Sequence, residues 1–455
     1  MNLVPFVHDG LGNSSYLVQI DVAAAVLVDP DRTVARYIDV AAAHGWRIVA
    51  SFETHLHADF VSGTTAIVAR TGATGFVPAG AQAHFPHQPL APGQHVRLAD
   101  ADIEAVASPG HTPEHLSYVL RRPSGPPLLF SGGSLMVGGA ARTDLIAPEQ
   151  TEALTRAQYA TITAAFAALP NETILLPTHG GGSFCSAGTG GERTSTLGQE
   201  RATNPLLAVP DVDTFVRHFP LTFPAAPDYF FRLRAVNQAG PRLKRDLPQP
   251  RPLSATDFAT VRQEALVVDI RSKESYHAGH IPGALSNAFR DAYATWLGWL
   301  VPAGTPLLFV AEGDLPDAVV DESLLVGYDR LAGWLAGGME AWKAADLPAR
   351  SSALVQPAAA RAQLLDGALA LDVREPSEYA AGHLPEAANV PLGALARRLA
   401  ALPRDRPLAV YCGHGERSAT AVSLLERAGF GSPLLNLDGG FDAWKAADLP
   451  AGSAA

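Results

Sequence analysis

The stretch that decides the fold of the C-terminal part of the chain reads Pro407-Leu408-Ala409-Val410-Tyr411-Cys412-Gly413-His414-Gly415-Glu416-Arg417-Ser418. Its first five residues form an apolar, strand-like run, and a helix-like run over residues 419–428 follows. A cysteine between a strand and a helix N-terminus meets backbone N–H groups and the positive end of the helix dipole. Arg417 adds a fixed positive charge. These features favour the thiolate, so we predict a nucleophilic Cys412; the alternative is an inert, buried cysteine in a tight turn.

The sequence around this loop resembles the rhodanese sulfurtransferases. The matching segments follow the family's order of a DVR strand, a GH-(I/L)-P turn and a helix start after two glycines: residues 371–375, 378–385 and 438–444. Dual-specificity phosphatases also use Cys-x5-Arg loops, but these flanking segments do not point to them. The resemblance implies that Cys412 carries a sulfane sulfur as a persulfide, while Arg417 and the loop amides hold the anion.

The same domain occurs twice in the sequence. Residues 341–349 recur at 443–451 as Ala-Trp-Lys-Ala-Ala-Asp-Leu-Pro-Ala, and the triplet at 269–271 corresponds to that at 372–374. Each repeat alternates short apolar strands with helix-like segments, which is typical of a parallel α/β domain. We therefore predict two rhodanese-like α/β domains, a first copy over residues 252–350 and a second copy over residues 353–455.

The first copy lacks the chemistry of the second. Ala311 stands where the second copy has Cys412, and the loop that follows contains Glu312 and Asp314 but no arginine. Two carboxylates would repel an anionic sulfur species. We predict that this degenerate copy is catalytically inactive and serves packing, spacing or dimerisation.

Composition limits the functional classes. A chain of 455 residues with 47% hydrophobic residues is long enough for about three globular domains. The net charge of −11 argues against a nucleic acid or an anionic membrane as partner. No signal peptide and no apolar run of roughly 20 residues is visible. Two cysteines in separate segments do not make a disulfide framework, so we predict a cytoplasmic location. A Pro-rich, basic linker over residues 238–252 follows a first domain at 1–240.

That first domain carries a metal-type pattern. His55, His57 and Asp59 alternate just after an apolar strand at residues 47–52, and further histidines follow in Pro-Gly-His111-Thr and Pro-Thr-His179-Gly. Alternating side chains beyond a strand end project towards one site. Imidazole and carboxylate groups suit zinc or iron, so these segments predict a metal centre.

The order of these motifs resembles the metallo-β-lactamase fold, which implies an αββα sandwich. Within that superfamily the likeness is strongest to persulfide dioxygenases, including those fused to two rhodanese domains. The resemblance implies a mononuclear Fe(II) that activates O2 and oxidises a low-molecular-weight thiol persulfide, such as glutathione persulfide, towards sulfite. A rhodanese then combines sulfite with sulfane sulfur to give thiosulfate.

Two positions depart from the family. Phe60 replaces a ligand of the second metal, which fits a mononuclear site and weakens a hydrolase of the glyoxalase II type. Gly133 replaces the ligand aspartate, so of the family's three ligands His55 and His111 remain. We predict that His57 completes a three-histidine site with Asp59 nearby. The alternative is a domain that has lost its metal.

Two other residues are candidates for handling the substrate. Arg142 matches a family segment and is predicted to bind a substrate carboxylate, or else to pair with Asp144 at the surface. Cys185 lies six residues after His179 in a glycine-rich loop, where the two could pass on a sulfane sulfur. The alternative for Cys185 is a small buried residue.

Four hypotheses follow. The first is a cytoplasmic sulfur-metabolism enzyme with a persulfide dioxygenase-like metal domain, preferably with Fe(II), and a rhodanese that uses thiosulfate or sulfite. The second is a sulfurtransferase with a metal-free N-terminal domain. The third is a metal-dependent thioester hydrolase with Zn(II), fused to a sulfur carrier. The fourth is a non-enzymatic sulfur relay or sensor. The sequence leaves a homo-oligomer open.

Overall fold

The computed structural model describes residues 2–185 and 191–452. It divides into two compact units, each of which is described by itself. The first unit comprises Met1–Leu247 with Asp321–Gly327, and the second comprises Pro248–Val320 with Tyr328–Ala455. The second unit thus holds nearly all of both copies. The three-domain boundaries at 1–240, 252–350 and 353–455 stay a prediction.

Two six-stranded sheets form the centre of the first unit, and in each of them chain neighbours are also spatial neighbours. The first sheet contains β1 (Leu3–His8), β2 (Asn13–Gln19), β3 (Ala24–Val28), β4 (Arg47–Phe52), β5 (Thr74–Pro78) and β6 (Gln88–Leu90). The second contains β7 (His95–Leu98), β8 (Ala101–Ala107), β9 (Leu116–Arg121), β10 (Leu128–Gly132), β11 (Ile174–Pro177) and β12 (Ser195–Thr196).

Helices cover the outer faces of both sheets. They are α1 (Ala35–Ala43), α2 (Thr64–Thr71), α3 (Thr151–Ala160), α4 (Leu197–Thr203) and α5 (Val212–His218). Helix α6 (Phe230–Ala239) instead lies beside the loop after β4, where Asn237 donates to the carbonyls of His57 and Phe60. Tyr16 and Tyr118 pack in the apolar core between the two sheets. Tyr37 and Ile67 pack on the other side of the first sheet, and Phe215 on the other side of the second. The layers are therefore helix, sheet, sheet and helix, as predicted.

The continuous burial of the strands follows from these layers. Along β2, Tyr16 and Val18 enter the core between the sheets, while Leu17 points to the helical layer. A sheet that is covered on both faces needs apolar residues at successive positions. Strand ends, where the chain leaves the sheet, are then the places where polar side chains can gather.

The two copies in the second unit share one strand order. The first copy has the order β13-β17-β16-β14-β15, with β13 (Pro252–Leu253), β14 (Leu266–Asp269), β15 (Leu285–Ser286), β16 (Leu307–Val310) and β17 (Leu331–Leu335). The second has the order β18-β22-β21-β19-β20, with β18 (Ala353–Val355), β19 (Leu369–Asp372), β20 (Ala388–Asn389), β21 (Leu408–Tyr411) and β22 (Leu434–Leu437). Neighbouring strands pair in parallel in both sheets, which confirms the predicted repeat.

The helices of the two copies also correspond. Those of the first copy are α7 (Ala255–Val261), α8 (Lys273–Ala278), α9 (Tyr293–Leu300), α10 (Asp317–Leu325) and α11 (Gly338–Ala344). Those of the second are α12 (Pro357–Leu365), α13 (Pro376–Ala380), α14 (Leu392–Arg398), α15 (Glu416–Arg427) and α16 (Gly440–Ala446). Helix α15 begins three residues earlier than predicted, because Gly415 at φ +108° caps it. No helix in the described part of the chain is long and apolar enough to span a bilayer.

An arginine holds the same turn in both copies. Arg374 donates to the Asp372 carboxylate and to the Gly382 carbonyl, each at 2.6 Å. Arg271 makes the equivalent contacts in the first copy, to the carboxylate two residues before it and to a glycine carbonyl. We call this arrangement the Asp–Arg clamp. The two motifs that carried the rhodanese resemblance, the DVR strand and the GH turn, are thus tied together by hydrogen bonds.

Candidate functional site

The strand ends of the first unit bring its histidine motifs together. His55, His57 and Asp59 follow β4, His111 follows β8 and His179 follows β11. All five side chains are buried. Segments that are more than 50 residues apart in the chain therefore meet in one polar cluster inside a rigid two-sheet frame.

Three of these histidines form one potential ligand set. One donor nitrogen from each of His55, His111 and His179 lies within 4.8 Å of the other two, and the Nε2 atoms of His55 and His179 are 3.3 Å apart. His111 donates from Nδ1 to the Arg142 carbonyl at 2.7 Å. Its buried Nε2 has no hydrogen-bond partner among the described residues. An unpartnered imidazole nitrogen beside two others fits zinc or iron.

Hydrogen bonds fix the tautomer of His55. Its Nδ1 lies 2.8 Å from Thr54 Oγ1, and this hydroxyl donates to Asp29 at 2.7 Å. Since the hydroxyl proton goes to the carboxylate, His55 Nδ1 must be the donor, and Nε2 keeps its lone pair. Thr178 also donates to Asp29, which links the first and last motifs. Asp29 is not among the site residues predicted from the sequence, although its position directly after β3 is a signal that could identify it.

Two histidines of this set, His55 and His111, are held in the form that a metal needs. Burial, together with His179, lowers the pKa of His111 to about 3. Burial and the neighbouring His57 lower the pKa of His55 well below its usual range. Both imidazoles are therefore neutral near pH 7, which is the ligating state. Asp59 Oδ2 lies 3.2 Å from His179 Nδ1, and neither atom has a hydrogen-bond partner among the described residues.

His57, predicted as a ligand, has a different environment. Its Nε2 lies 3.0 Å from Glu53 Oε2 and 3.3 Å from Asp29 Oδ1. Burial lowers its pKa, but the two carboxylates outweigh burial and raise the pKa to about 10. One donor atom from each of His57, Asp59 and His179 also lies within 4.8 Å of the others, so a second ligand set overlaps the first.

The packing around Gly133 leaves no room for a carboxylate side chain at this position of the histidine cluster. A Cβ atom at this position would lie 2.6 Å from His111 Cδ2 and 3.0 Å from Ala141 Cβ. The imidazole of His111 thus occupies the space where a side chain at 133 would begin. The flanking hydroxyls of Ser131 and Ser134 donate to the backbone carbonyls of Leu135 and Ser131, at 2.6 and 2.7 Å.

A Gly133→Asp variant is expected to lose stability rather than gain a metal ligand. Overpacking against His111 should lower the free energy of unfolding by about 1–3 kcal/mol. Denaturant unfolding and the metal content of the purified protein measure both effects. Gly191→Asp is the matched control, because nothing lies within 4 Å of a Cβ there. A Gly133→Asp protein with more bound metal and unchanged stability would contradict the described packing.

Arg142 is fully engaged inside the unit. Its Nε and Nη2 donate to the Asp144 carboxylate at 2.7 and 2.8 Å, and its Nη1 donates to the carbonyls of Phe184 and Pro224 at 3.1 and 2.9 Å. The Asp144 pair was one of the predicted alternatives, but it is not at the surface, since Arg142 is only 3% exposed. Binding of a substrate carboxylate by Arg142 would require breaking these contacts.

Cys185 is buried beside the same pocket. Its carbonyl accepts a hydrogen bond from the Arg142 amide at 2.9 Å, and its side chain is fully buried. Burial and the nearby Asp59 raise the pKa of the Cys185 thiol well above its usual range. In this conformation the thiol is protonated, so a role in sulfur relay stays a prediction.

Cys412 lies between strand β21 and the N-terminus of helix α15, as the sequence predicts. Cys412 Sγ accepts hydrogen bonds from the Gly415 amide at 3.1 Å and from Ser418 Oγ at 3.5 Å. The Cys412 carbonyl in turn accepts from the Phe441 amide at 2.7 Å. Gly440, at φ +57°, leaves no room for a Cβ beside that carbonyl. The sulfur thus sits at the N-terminus of α15 with two donors directed at it.

Arg417 is not a free anion-binding group. Its Nη1 and Nη2 donate to the two carboxylate oxygens of Glu378, each at 2.7 Å. Such a bidentate pair leaves little net charge for a further anion. The predicted binding of an anion by Arg417 therefore competes with its ion pair to Glu378, which the motif spacing does not reveal.

The corresponding loop of the first copy has no thiol. Ala311 follows β16 as Cys412 follows β21, and Ala311 is buried. A cavity of about 220 Å³ lies here, and the residues that line it include Ala311, Glu312, Glu340 and Lys343. A pocket thus persists at this place, but the sulfur nucleophile is absent.

Comparisons with known proteins agree with a sulfur-handling C-terminal part. The rhodanese-like domain model matches residues 255–345 and 356–447. A sulfurtransferase of Allochromatium vinosum is 39% identical over 82 residues, which are 18% of this chain and 76% of the relative.

The N-terminal part has relatives of two kinds. A hydroxyacylglutathione hydrolase of Rhodobacter capsulatus is 33% identical over 233 residues, covering 45% of this chain and 81% of the relative. The mitochondrial persulfide dioxygenase ETHE1 of Homo sapiens is 29% identical over 189 residues, covering 41% and 67%. A solved metallo-β-lactamase from Staphylococcus aureus is similar with a TM-score of 0.64 at 27% identity, covering 74% of this chain and 99% of that one. The predicted fold class is confirmed.

Proposed function

Because the chain belongs to the rhodanese family and joins two rhodanese-like domains to a metallo-β-lactamase-like domain, we propose that it oxidises a thiol persulfide at its N-terminal metal centre and transfers sulfane sulfur at Cys412. It is a sulfur-metabolism enzyme, because its relatives include both a sulfurtransferase and a persulfide dioxygenase. The observation that carries the proposal is the coexistence of a buried histidine cluster and a cysteine held at a helix N-terminus.

The histidine cluster supports a metal cofactor. We assign His55, His111 and His179 as its ligands, because one donor nitrogen from each lies within 4.8 Å of the others and His111 Nε2 has no other partner among the described residues. Fe(II) would supply the activation of O2, and three imidazoles with open positions suit iron as well as zinc. In the net reaction a persulfide, O2 and water give the thiol and sulfite.

The protein's own groups prepare this pocket. Asp29 and Thr54 set the tautomer of His55, and burial of the cluster excludes bulk water. His57 carries a positive charge between Asp29 and Glu53, and so balances two buried carboxylates that would otherwise be costly. The ring positions are thereby fixed before a metal or substrate enters.

At the second centre, the Cys412 thiolate attacks the outer sulfur of thiosulfate. The S–S bond of the donor breaks, sulfite leaves with the electron pair, and Cys412 holds the sulfur as a persulfide. In the reverse direction sulfite takes the sulfur, which regenerates the thiolate and forms thiosulfate. Gly415 N–H and Ser418 O–H, which donate to Sγ, would stabilise the negative charge on the nucleophile.

A thioester hydrolase is the second candidate for the N-terminal domain. It is favoured by the hydroxyacylglutathione hydrolase relative and by the second, overlapping ligand set of His57, Asp59 and His179. Phe60 opposes it: its ring stacks on His57 at 4.2 Å between centroids and offers no ligand atom.

The test is metal analysis of protein purified without oxygen, combined with O2 uptake on glutathione persulfide. About one iron per chain, with O2 consumption and sulfite release, is the expected result. Zinc with hydrolysis of a glutathione thioester would instead establish the second candidate. Metal-free protein that still transfers sulfur from thiosulfate to cyanide would overturn the dioxygenase proposal and leave a sulfurtransferase alone.

A further inference from the structure

Four successive carbonyls of the cysteine loop, at residues 412–415, accept hydrogen bonds from outside the loop. The backbone of α16 donates to the first two of them, at 2.7 and 3.1 Å. Side chains donate to the other two, the carbonyls of His414 and Gly415. The orientation of these two peptide groups is therefore set by side chains, and a substitution can change it.

The side chain at the His414 carbonyl belongs to the first copy. Lys273 of α8 donates to this carbonyl from Nζ at 2.9 Å. In a planar trans peptide the N–H points away from the C=O, and the N–H of this peptide is that of Gly415. That N–H donates to Cys412 Sγ at 3.1 Å. The lysine therefore holds one end of the peptide group whose other end is directed at the nucleophilic sulfur.

Lys273 is itself fixed in place. Its Nζ lies 3.4 Å from Glu416 Oε1 and 3.2 Å from Asp438 Oδ1, and its side chain is only 11% exposed. A Cβ atom at Gly415 would lie 3.0 Å from the same Nζ, so the lysine is in close contact with the loop. Two carboxylates of the second copy thus restrict the ammonium group to the position from which it donates to the loop.

One turn further along α8, His277 supports the next peptide group through an asparagine. Asn436 Nδ2 donates to His277 Nε2 at 2.9 Å and to the Gly415 carbonyl at 3.0 Å. Since an amide nitrogen only donates, Nε2 accepts, and Nδ1 carries the proton that it donates to Ser352 Oγ at 2.7 Å. Burial, together with His280, lowers the pKa of His277 to about 4, so the ring is neutral near pH 7.

The second copy has neither side chain at the corresponding positions. Counted from the arginine of the Asp–Arg clamp, Lys273 and His277 correspond to Pro376 and Ala380 of α13. Residues four apart lie on one face of a helix, so in α8 both groups reach the same side. The thiol-free copy therefore directs at the cysteine loop a pair of side chains that the thiol-bearing copy does not have in its own helix.

We propose that Lys273 and His277 of the first copy are positioning residues for sulfur transfer: they hold the two peptide groups that flank Gly415, so that the Gly415 amide stays directed at Cys412 Sγ. This inference rests on the proposed sulfurtransferase function. A donor that is aimed before the reaction stabilises the thiolate without having to reorient. The first copy, predicted to serve only packing, spacing or dimerisation, is then part of the sulfurtransferase centre.

The pH profile of Cys412 alkylation by iodoacetamide tests this role without requiring sulfur transfer. Lys273→Met keeps the length of the side chain but donates nothing, so the thiolate is stabilised less. The pH of half-maximal alkylation, measured on the Cys412 peptide by mass spectrometry, should rise by about one unit. Below that pH the thiolate fraction and the rate of transfer from thiosulfate to cyanide should fall about tenfold. Lys273→Arg should keep most of the wild-type profile. Lys343→Met removes a lysine of the same copy that is 54% exposed, and should leave the profile unchanged.

His277→Leu separates position from charge. Because the ring is neutral, this change removes no charge, but it leaves the Asn436 amide without its acceptor. The pH of half-maximal alkylation should rise by about half a unit. His277→Gln offers a side-chain carbonyl to Asn436 and should restore most of the wild-type profile.

A Lys273→Met protein that is folded by circular dichroism and has the wild-type profile would refute the positioning role. An equal shift in Lys343→Met would also refute it, since that shift reports only the net charge of the first copy. So would a shift in Lys273→Met with none in His277→Leu, because then the charge of the lysine acts alone. Should Lys273→Met fail to fold, the two His277 variants decide. If wild-type protein transfers no sulfur but the profiles shift as expected, the proposed function fails while the positioning role stands.

Discussion

Cys412→Ser should abolish sulfur transfer from thiosulfate to cyanide, with a loss on the order of 10³-fold or more. A serine hydroxyl is hardly ionised at neutral pH and cannot carry sulfane sulfur as a persulfide. The chain has only one other cysteine, Cys185, whose thiol is buried and protonated. A steady-state assay of thiocyanate formation measures the loss, and the mass of the Cys412 peptide after treatment with thiosulfate shows whether the persulfide forms.

Cys185→Ser is the matched control for this result. It also removes one buried thiol, but it leaves the α15 N-terminus intact, so transfer from thiosulfate to cyanide should stay within about twofold of wild type. Sulfur transfer that persists in Cys412→Ser and disappears in Cys185→Ser would reverse the assignment of the nucleophile.

His179→Ala should remove tightly bound metal from the N-terminal domain. If His55, His111 and His179 are the three protein ligands, deletion of one leaves two, and we expect affinity to fall by about 100-fold or more. Metal content after gel filtration measures the effect, together with O2 uptake on glutathione persulfide. His95→Ala, on an exposed strand of the same unit, is the control and should retain the metal.

His57→Gln separates this ligand set from the one predicted from the sequence. The introduced glutamine amide can still donate a hydrogen bond towards Glu53, so we expect the metal to stay bound with at most about a tenfold loss of affinity. Circular dichroism should show that the variant is folded. If His57→Gln empties the site while His179→Ala keeps it filled, then the sequence-based set of His55, His57, Asp59 and His111 is the correct one.

Local signals in the sequence locate the motifs but do not show how they meet. The strand predicted at residues 47–52 is β4, with the same bounds, and the ligands predicted after it are buried at its end. From the sequence, the segment of His179 belongs to the metal-type pattern, but His179 itself stays outside the predicted ligand set, because spacing along the chain does not reveal which strand ends are adjacent. In the fold, the Thr178 amide donates to the Gly132 carbonyl at 3.0 Å, which fixes His179 beside the pocket.

Sequence motifs also do not show which charged side chains surround the cysteine loop. Glu378 is visible in the flanking motif, but only the packing of α13 brings its carboxylate onto Arg417. Lys273 belongs to the copy that the sequence suggests is a spacer, and its contact with the loop depends on how two domains with the same strand order pack. Motifs describe one domain at a time, whereas the charges around Cys412 come from two.

The Asp–Arg clamp separates the stability of the turn from the presence of the thiol. After the duplication, both copies kept the clamp that supports the turn, but only one kept the sulfur nucleophile. The turn and the reactive group are therefore separable, since the first copy has the clamp without the thiol. The number of rhodanese-like domains in the chain is therefore two, whereas only one of the two corresponding loops has a thiol that can carry sulfur.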